Sequence, residues 1–135
     1  LKKDDKTVAQ IILKLEDSEN IHQITMVEDR RKGNLTEVDK EKAAKEISQG
    51  TTVRYDPYTQ IEPSGEKRTP REMCIRDRQH SYDADQGTMT REITENGVLL
   101  IEVRAINTEN KIRMKTGDPK RTKYGRREVP KILLE

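Results

Sequence analysis

Apolar positions repeat at helical spacing early in the chain and at alternate residues late in it, so its two ends predict different secondary structure. Near the start, Val8, Ile11, Ile12 and Leu15 form one stripe at three- and four-residue intervals. Thr7-Val-Ala-Gln10 reads as a capping box, which predicts a helix from there to about Asp17–Asn20. Such a stripe serves a core-facing helix more often than a partner-binding one. Residues 21–27 are open between a short strand and a further helical turn. His22 lies there with no carboxylate or nucleophile at diagnostic spacing, which places it on the surface rather than in a catalytic site. Residues 28–34 read as a polar turn. Thr36-Glu-Val-Asp39 starts a second helix through Ala43, Ala44 and Ile47, stopped by Ser48-Gln-Gly50. Thr51–Tyr55 is a short strand ended by Asp56-Pro57, and residues 61–71, with Pro63, Gly65 and Pro70, have the punctuation of a linker.

The period changes beyond residue 87. Asn96-Gly97 is a strong hairpin signal, because a two-residue type I′ turn needs positive φ at both positions. Residues 89–94 precede it. In the run 98–106, Leu99, Ile101, Val103 and Ala105 share one face, the alternation of a half-buried strand. Asn107-Thr-Glu-Asn110 reads as a turn, and Ile112 and Met114 resume the alternation between Lys111, Arg113 and Lys115. The expected fold is therefore α+β. Residues 1–50 form a helical, hairpin-like segment, 51–86 a flexible linker with one possible strand, and 87–135 a three-stranded antiparallel β meander.

Composition limits how well such a chain can pack. Of 135 residues, 39% are charged and 30% hydrophobic, with four tyrosines and neither Phe nor Trp. Aromatic side chains supply much of the buried area in small domains, so two small patches joined flexibly are expected rather than one well-packed core. No run approaches the roughly 20 apolar residues that span a bilayer. The opening Leu-Lys-Lys-Asp-Asp lacks the apolar core of a signal peptide, and its start at Leu suggests a truncated reading frame. One cysteine permits no internal disulfide, making a cytoplasmic setting the default. With only His22 and His80 beside it, an ordinary structural zinc site is not expected, nor is any other metal or cofactor. There is no Gly-rich phosphate loop, and the carboxylates are spread along solvent faces.

Charge redirects attention to the C-terminal part. Residues 1–71 hold fourteen cations and fourteen anions, so they show no preference for nucleic acid. Residues 111–131 hold nine cations against Asp118 and Glu128, and nine minus two leaves +7, compared with +2 for the whole chain. Lys111, Arg113, Lys115, Arg121, Arg126 and Arg127 are the candidate nucleic-acid contacts, since cations that neutralise phosphates release condensed counterions. A solvated basic strand edge that keeps sheets from pairing explains the same composition.

The order strand, turn, strand, then Pro119-Lys120-Arg121-Thr122-Lys123-Tyr124-Gly125-Arg126-Arg127-Glu128-Val129-Pro130, resembles the β-hairpin region of tyrosine recombinases, the phage-integrase family. Glu92-Ile-Thr-Glu-Asn-Gly-Val98 is similar to the segment after that family's first catalytic block. The resemblance implies DNA cleavage and rejoining through a covalent tyrosine–phosphate linkage, without nucleotide or obligatory metal. It also implies a hairpin lysine acting as general acid towards the leaving 5′ oxygen, a role an ammonium can fill while stabilising the phosphorane. Lys120 and Lys123 both fit, and the extra Arg121 between Lys and Thr leaves the choice open. Only the last third of the chain is covered. The first catalytic arginine, a His-x-x-Arg and the tyrosine nucleophile have no counterpart, so this chain alone is not expected to cut DNA. The alternative is a non-enzymatic α+β protein that binds nucleic acid or packs in an assembly such as a phage particle.

Glu72-Met-Cys-Ile-Arg-Asp-Arg78 resembles one translated frame of the transposase mosaic end of sequencing-library adapters. An ordinary polar loop is the bland reading of the same letters. The resemblance implies a seam at 72–78, an assembled environmental fragment, and two halves that need not share a gene. Any chemistry assigned to Cys74 would then be an artefact.

Overall fold

A computed structural model describes residues 6–26, 34–58, 60–61, 67–89 and 92–135. The fold is α+β, with α1 (Lys6–Glu16), β1 (His22–Met26), β2 (Leu35–Glu37), α2 (Lys40–Ala44) and β3 (Thr51–Tyr55) in its first part. A two-stranded ribbon follows, β4 (Gln60–Ile61) with β5 (Lys67–Arg68), then α3 (Pro70–Asp85) and α4 (Leu100–Thr116). A second ribbon, β6 (Lys123–Tyr124) with β7 (Arg127–Glu128), and a 3-10 turn at Lys131–Leu133 complete the described chain.

Helix α3 is the hub, because α1, α4, β2 and β3 all pack against it. Thr69 caps it by accepting from the Glu72 amide, while Glu72 accepts from the Thr69 amide, and Pro70 takes the first turn. That position suits proline, whose missing N–H would be unpaired there anyway. The segment expected as a flexible linker with a seam thus contains a sixteen-residue helix. The centre of the 61–71 stretch and most of the polar turn at 28–34 lie outside the described residues.

Helix α1 buries Val8 and Ile11, as its stripe predicts, and Val8, with Ile12 beside it, packs against Ile75 of α3 and Ile112 of α4. The second helix is shorter than expected and starts later. Asp39, not Thr36, accepts from the Glu41 and Lys42 amides, and Thr36 lies in β2, where its hydroxyl donates to Asp77 at 3.2 Å. Pairing of β2 with β3 outweighs the local start signal. The helical hairpin is replaced by a mixed sheet of order β1-β3-β2, with β1 parallel and β2 antiparallel to β3.

The β meander is corrected most strongly. Asn96-Gly97 does turn the chain, with Gly97 at φ +79° and one bridge between Ile93 and Leu99, but no ladder follows. From Leu100 the alternating run becomes helix α4, and residues 107–110 lie inside it. A short apolar run satisfies either period. Here Val103 and Ile106, one helical turn apart, close a small core with Val98 and Val129. Gly117 at φ +81° ends α4 as a left-handed cap, its N–H donating to the Arg113 carbonyl.

Gly50 marks the closest approach in the sheet. A Cβ there would lie 2.1 Å from the Ile21 carbonyl oxygen, the atom that accepts from the Thr51 amide and starts the β1–β3 pairing. Gly50→Ala is therefore expected to cost about 1–3 kcal/mol through forced backbone displacement. A urea titration against the parent chain measures the loss, and an unchanged midpoint would place Ile21 elsewhere.

Candidate functional site

The nine cations of the basic segment divide into two groups by burial. Arg113 and Arg121 are interior side chains. Arg113 donates to Glu72 and Glu109, at 2.7 Å each, and Arg121 reaches Glu109 at 3.3 Å and the Lys123 carbonyl at 3.3 Å. Lys115, Lys120, Arg126, Arg127 and Lys131 are exposed, and Lys111 and Lys123 half-buried. Lys120 donates to the Glu135 carbonyl at 3.1 Å, and Lys111 lies 3.8 Å from the Glu135 carboxylate.

Lys123, Arg126 and Arg127 converge on one small element. Strands β6 and β7 pair Lys123 with Glu128 and Tyr124 with Arg127, leaving Gly125-Arg126 as a two-residue turn. Gly125 has φ +60°, the left-handed conformation that such turns require. The hairpin is anchored from behind. Asn96 Nδ2 donates to the Glu128 carbonyl at 3.0 Å, Arg127 Nη1 to the Asn96 carbonyl at 3.4 Å, and Val129 enters the core. Its tip thus presents cations from a fixed backbone. The other lysine candidate, Lys120, lies outside the hairpin in the preceding loop.

A second constellation was not legible in the sequence. Met73, Arg76, Asp77 and His80 share one face of α3 and line an open cleft of about 630 Å³, closed opposite by β2, α2, the start of α4 and Tyr124. Arg76 donates to Glu102 at 2.9 Å, and His80 Nε2 lies 3.3 Å from the same carboxylate. Burial pushes the Glu102 carboxyl up, but the hydrogen bond and charge of His80, then the charge and hydrogen bond of Arg76, outweigh it and hold its pKa at about 2. Burial dominates at Asp77 and raises it, despite hydrogen bonds from Asn34 and Thr36. Asp83 is raised for the same reason, against Arg104 and Gln79.

His22, expected at the surface, has a side chain only 5% exposed. Its Nε2 meets Asp85 at 3.0 Å and its Nδ1 meets Thr51 Oγ1 at 2.9 Å, which continues to Ser81 at 2.8 Å. The order carboxylate, imidazole, hydroxyl imitates a nucleophilic triad. Thr51 and Ser81 are nevertheless buried, and their hydroxyls bond to each other, so no acyl group can reach them. The chain ties β1 and β3 to α3. Cys74 is half-buried, and burial raises its thiol pKa, which opposes thiolate chemistry.

Among the described residues no group of three or more His, Cys, Asp or Glu side chains is placed to hold a metal ion, and no helix is long and apolar enough to cross a membrane. Compared with protein-family models, curated proteins and solved structures, the chain matches none.

Proposed function

We propose that the chain binds the phosphate backbone of DNA through the Lys123–Glu128 hairpin and the exposed cations around it, as a fragment of a tyrosine recombinase that lacks most of the catalytic residues. The observation that carries this reading is the anchored two-residue turn that holds Arg126 and Arg127 in solvent beside Lys123. A fixed cationic tip meets a phosphate with little ordering cost, and Arg recognises its oxygens in a planar fork. Of the two candidates for the hairpin lysine, Lys123 is favoured because it is the one on the ribbon itself. Without a tyrosine nucleophile the activity is binding, not strand cleavage. The proposal includes residues 72–78 as a translated adapter; amplification of the source DNA across that junction, recovering the reading frame intact, would refute that part.

Fluorescence anisotropy of a labelled duplex between 50 and 200 mM salt tests the binding. Neutralising Arg126 and Arg127 together is expected to weaken binding and to flatten the slope of log K against log salt by about 2, since each phosphate contact contributes about 0.9. Equal affinity and slope in the double variant would favour a packing role for the arm instead.

A further inference from the structure

We infer that residues 133–135 are an autoinhibitory strap, in which Glu135 occupies Lys111 and Lys120 and so withholds two phosphate contacts from DNA. The inference rests on the phosphate-binding reading of the hairpin and adds what restrains that binding. It starts from α4, where Asn107 and Asn110 stand three residues apart and share one face. Each pairs in both directions with a passing backbone. Asn107 Nδ2 donates to the Leu133 carbonyl at 3.0 Å, and its Oδ1 accepts from the Glu135 amide at 3.2 Å. Asn110 Nδ2 donates to the Arg121 carbonyl at 2.9 Å, and its Oδ1 accepts from the Arg121 amide at 2.7 Å. The two side chains therefore seat the strap and the Lys120 loop against the same helix face. Leu133 and Leu134 hold the strap further by packing on the core of Val98, Val103, Ile106 and Val129.

Seated this way, Glu135 meets both lysines. Lys120 Nζ donates to its carbonyl at 3.1 Å, and Lys111 Nζ lies 3.8 Å from its carboxylate and 3.5 Å from Thr7 Oγ1. One acidic residue thus offers oxygens to two ammoniums, as a phosphodiester does. Both lysines still reach solvent, since Lys120 is exposed and the Lys111 side chain is 38% exposed. An exposed ion pair is screened and contributes little, so the strap is held by Asn107 and the two leucines rather than by its charge. Once the strap is loose, a duplex displaces the carboxylate, because its phosphates release condensed counterions on contact. The strapped chain binds without these two lysines, and the released chain binds with them.

Anisotropy titrations of a labelled duplex between 50 and 200 mM salt test this with Asn107→Ala, which changes no charge and suits a helix interior. The variant is expected to bind at least about three-fold tighter at 50 mM salt and to steepen the slope of log K against log salt by about 2, roughly 0.9 for each lysine released. Adding Lys111→Gln and Lys120→Gln to Asn107→Ala is expected to remove that gain. Glu135→Gln is a second route that leaves the packing intact: it frees Lys111 and is expected to steepen the slope by about 1. Suppose the parent binds through Arg126 and Arg127, while Asn107→Ala, folded by circular dichroism, and Glu135→Gln both match it. That result overturns the strap and leaves the hairpin reading standing. A gain in Asn107→Ala that survives loss of both lysines overturns the strap as well. Absence of salt-dependent binding in the parent and in Asn107→Ala alike sinks both readings together.

Discussion

Replacing Glu109 with Gln is expected to lower stability by about 3–5 kcal/mol, a large part of the roughly 5–15 kcal/mol that holds a domain together. Glu109 is 1% exposed and sits where three guanidiniums converge: Arg113 Nε at 2.7 Å, Arg121 Nη1 at 3.3 Å and Arg76 Nε at 3.9 Å. Glu72 and Glu102 complete the interior set, three carboxylates against three arginines. Balance matters more here than any one pair, since attraction within the set offsets the loss of hydration only while the charges cancel. The amide keeps the shape of Glu109 and removes its charge, leaving a net buried cation. Glu41→Gln serves as the control. Its pair with Lys45 is 79% exposed on the Glu side and is expected to change stability by well under 1 kcal/mol. Thermal melts followed by circular dichroism compare the two, and similar midpoints would show that the interior set is solvated.

Stability is also expected to pass through a maximum in mild acid. Glu72, Asp77 and Asp83 have raised pKa values, chiefly from burial, so the folded chain binds their protons at higher pH than the unfolded chain does. Their effect is to strengthen the fold as pH falls from neutrality towards the ordinary carboxylate range. Glu102 acts in the opposite sense. Lowered from 4.5 to about 2, it contributes on the order of 3 kcal/mol above its unfolded value, and that contribution is lost as pH falls from about 4.5 towards 2. Asp85 adds to the acid limb, because hydrogen bonds from Ser18, Asn20 and His22 outweigh its burial and keep it low. Urea midpoints between pH 2 and 8 read both limbs. In Glu102→Gln the steep acid limb should flatten; an unchanged limb would assign it to other groups.

Legibility in the sequence followed the type of burial. Helix α1 and strand β3 bury Val8, Ile11 and Val53; apolar spacing announced the helix, and the stop at Asp56-Pro57 marked the end of the strand. Helix α3 buries Glu72, Arg76, Asp77, Gln79, His80, Ser81 and Asp83 beside only a few apolar side chains. Periodicity measures hydrophobicity, so a face buried through paired charges is silent to it. The available signal was local: Thr69-Pro70-Arg71-Glu72 is a capping box with proline at the first helical position. The β reading of α4 failed because the run from Val98 to Ile106 satisfies both periods, and the left-handed Gly117 after Arg113 and Lys115 was the arbiter. Charge summation over 111–131 likewise counted Arg113 and Arg121 as surface, though both are spent inside on Glu72 and Glu109. The cleft could not be read at all, since its walls come from residues scattered between Asn34 and Tyr124.

Val8, Ile75 and Ile112 meet in one cluster, drawn from the beginning, the middle and the late part of the chain. Denaturation should therefore be cooperative, with far-ultraviolet ellipticity and tyrosine emission tracing one sigmoid, because neither flank retains its apolar contact once the other has melted.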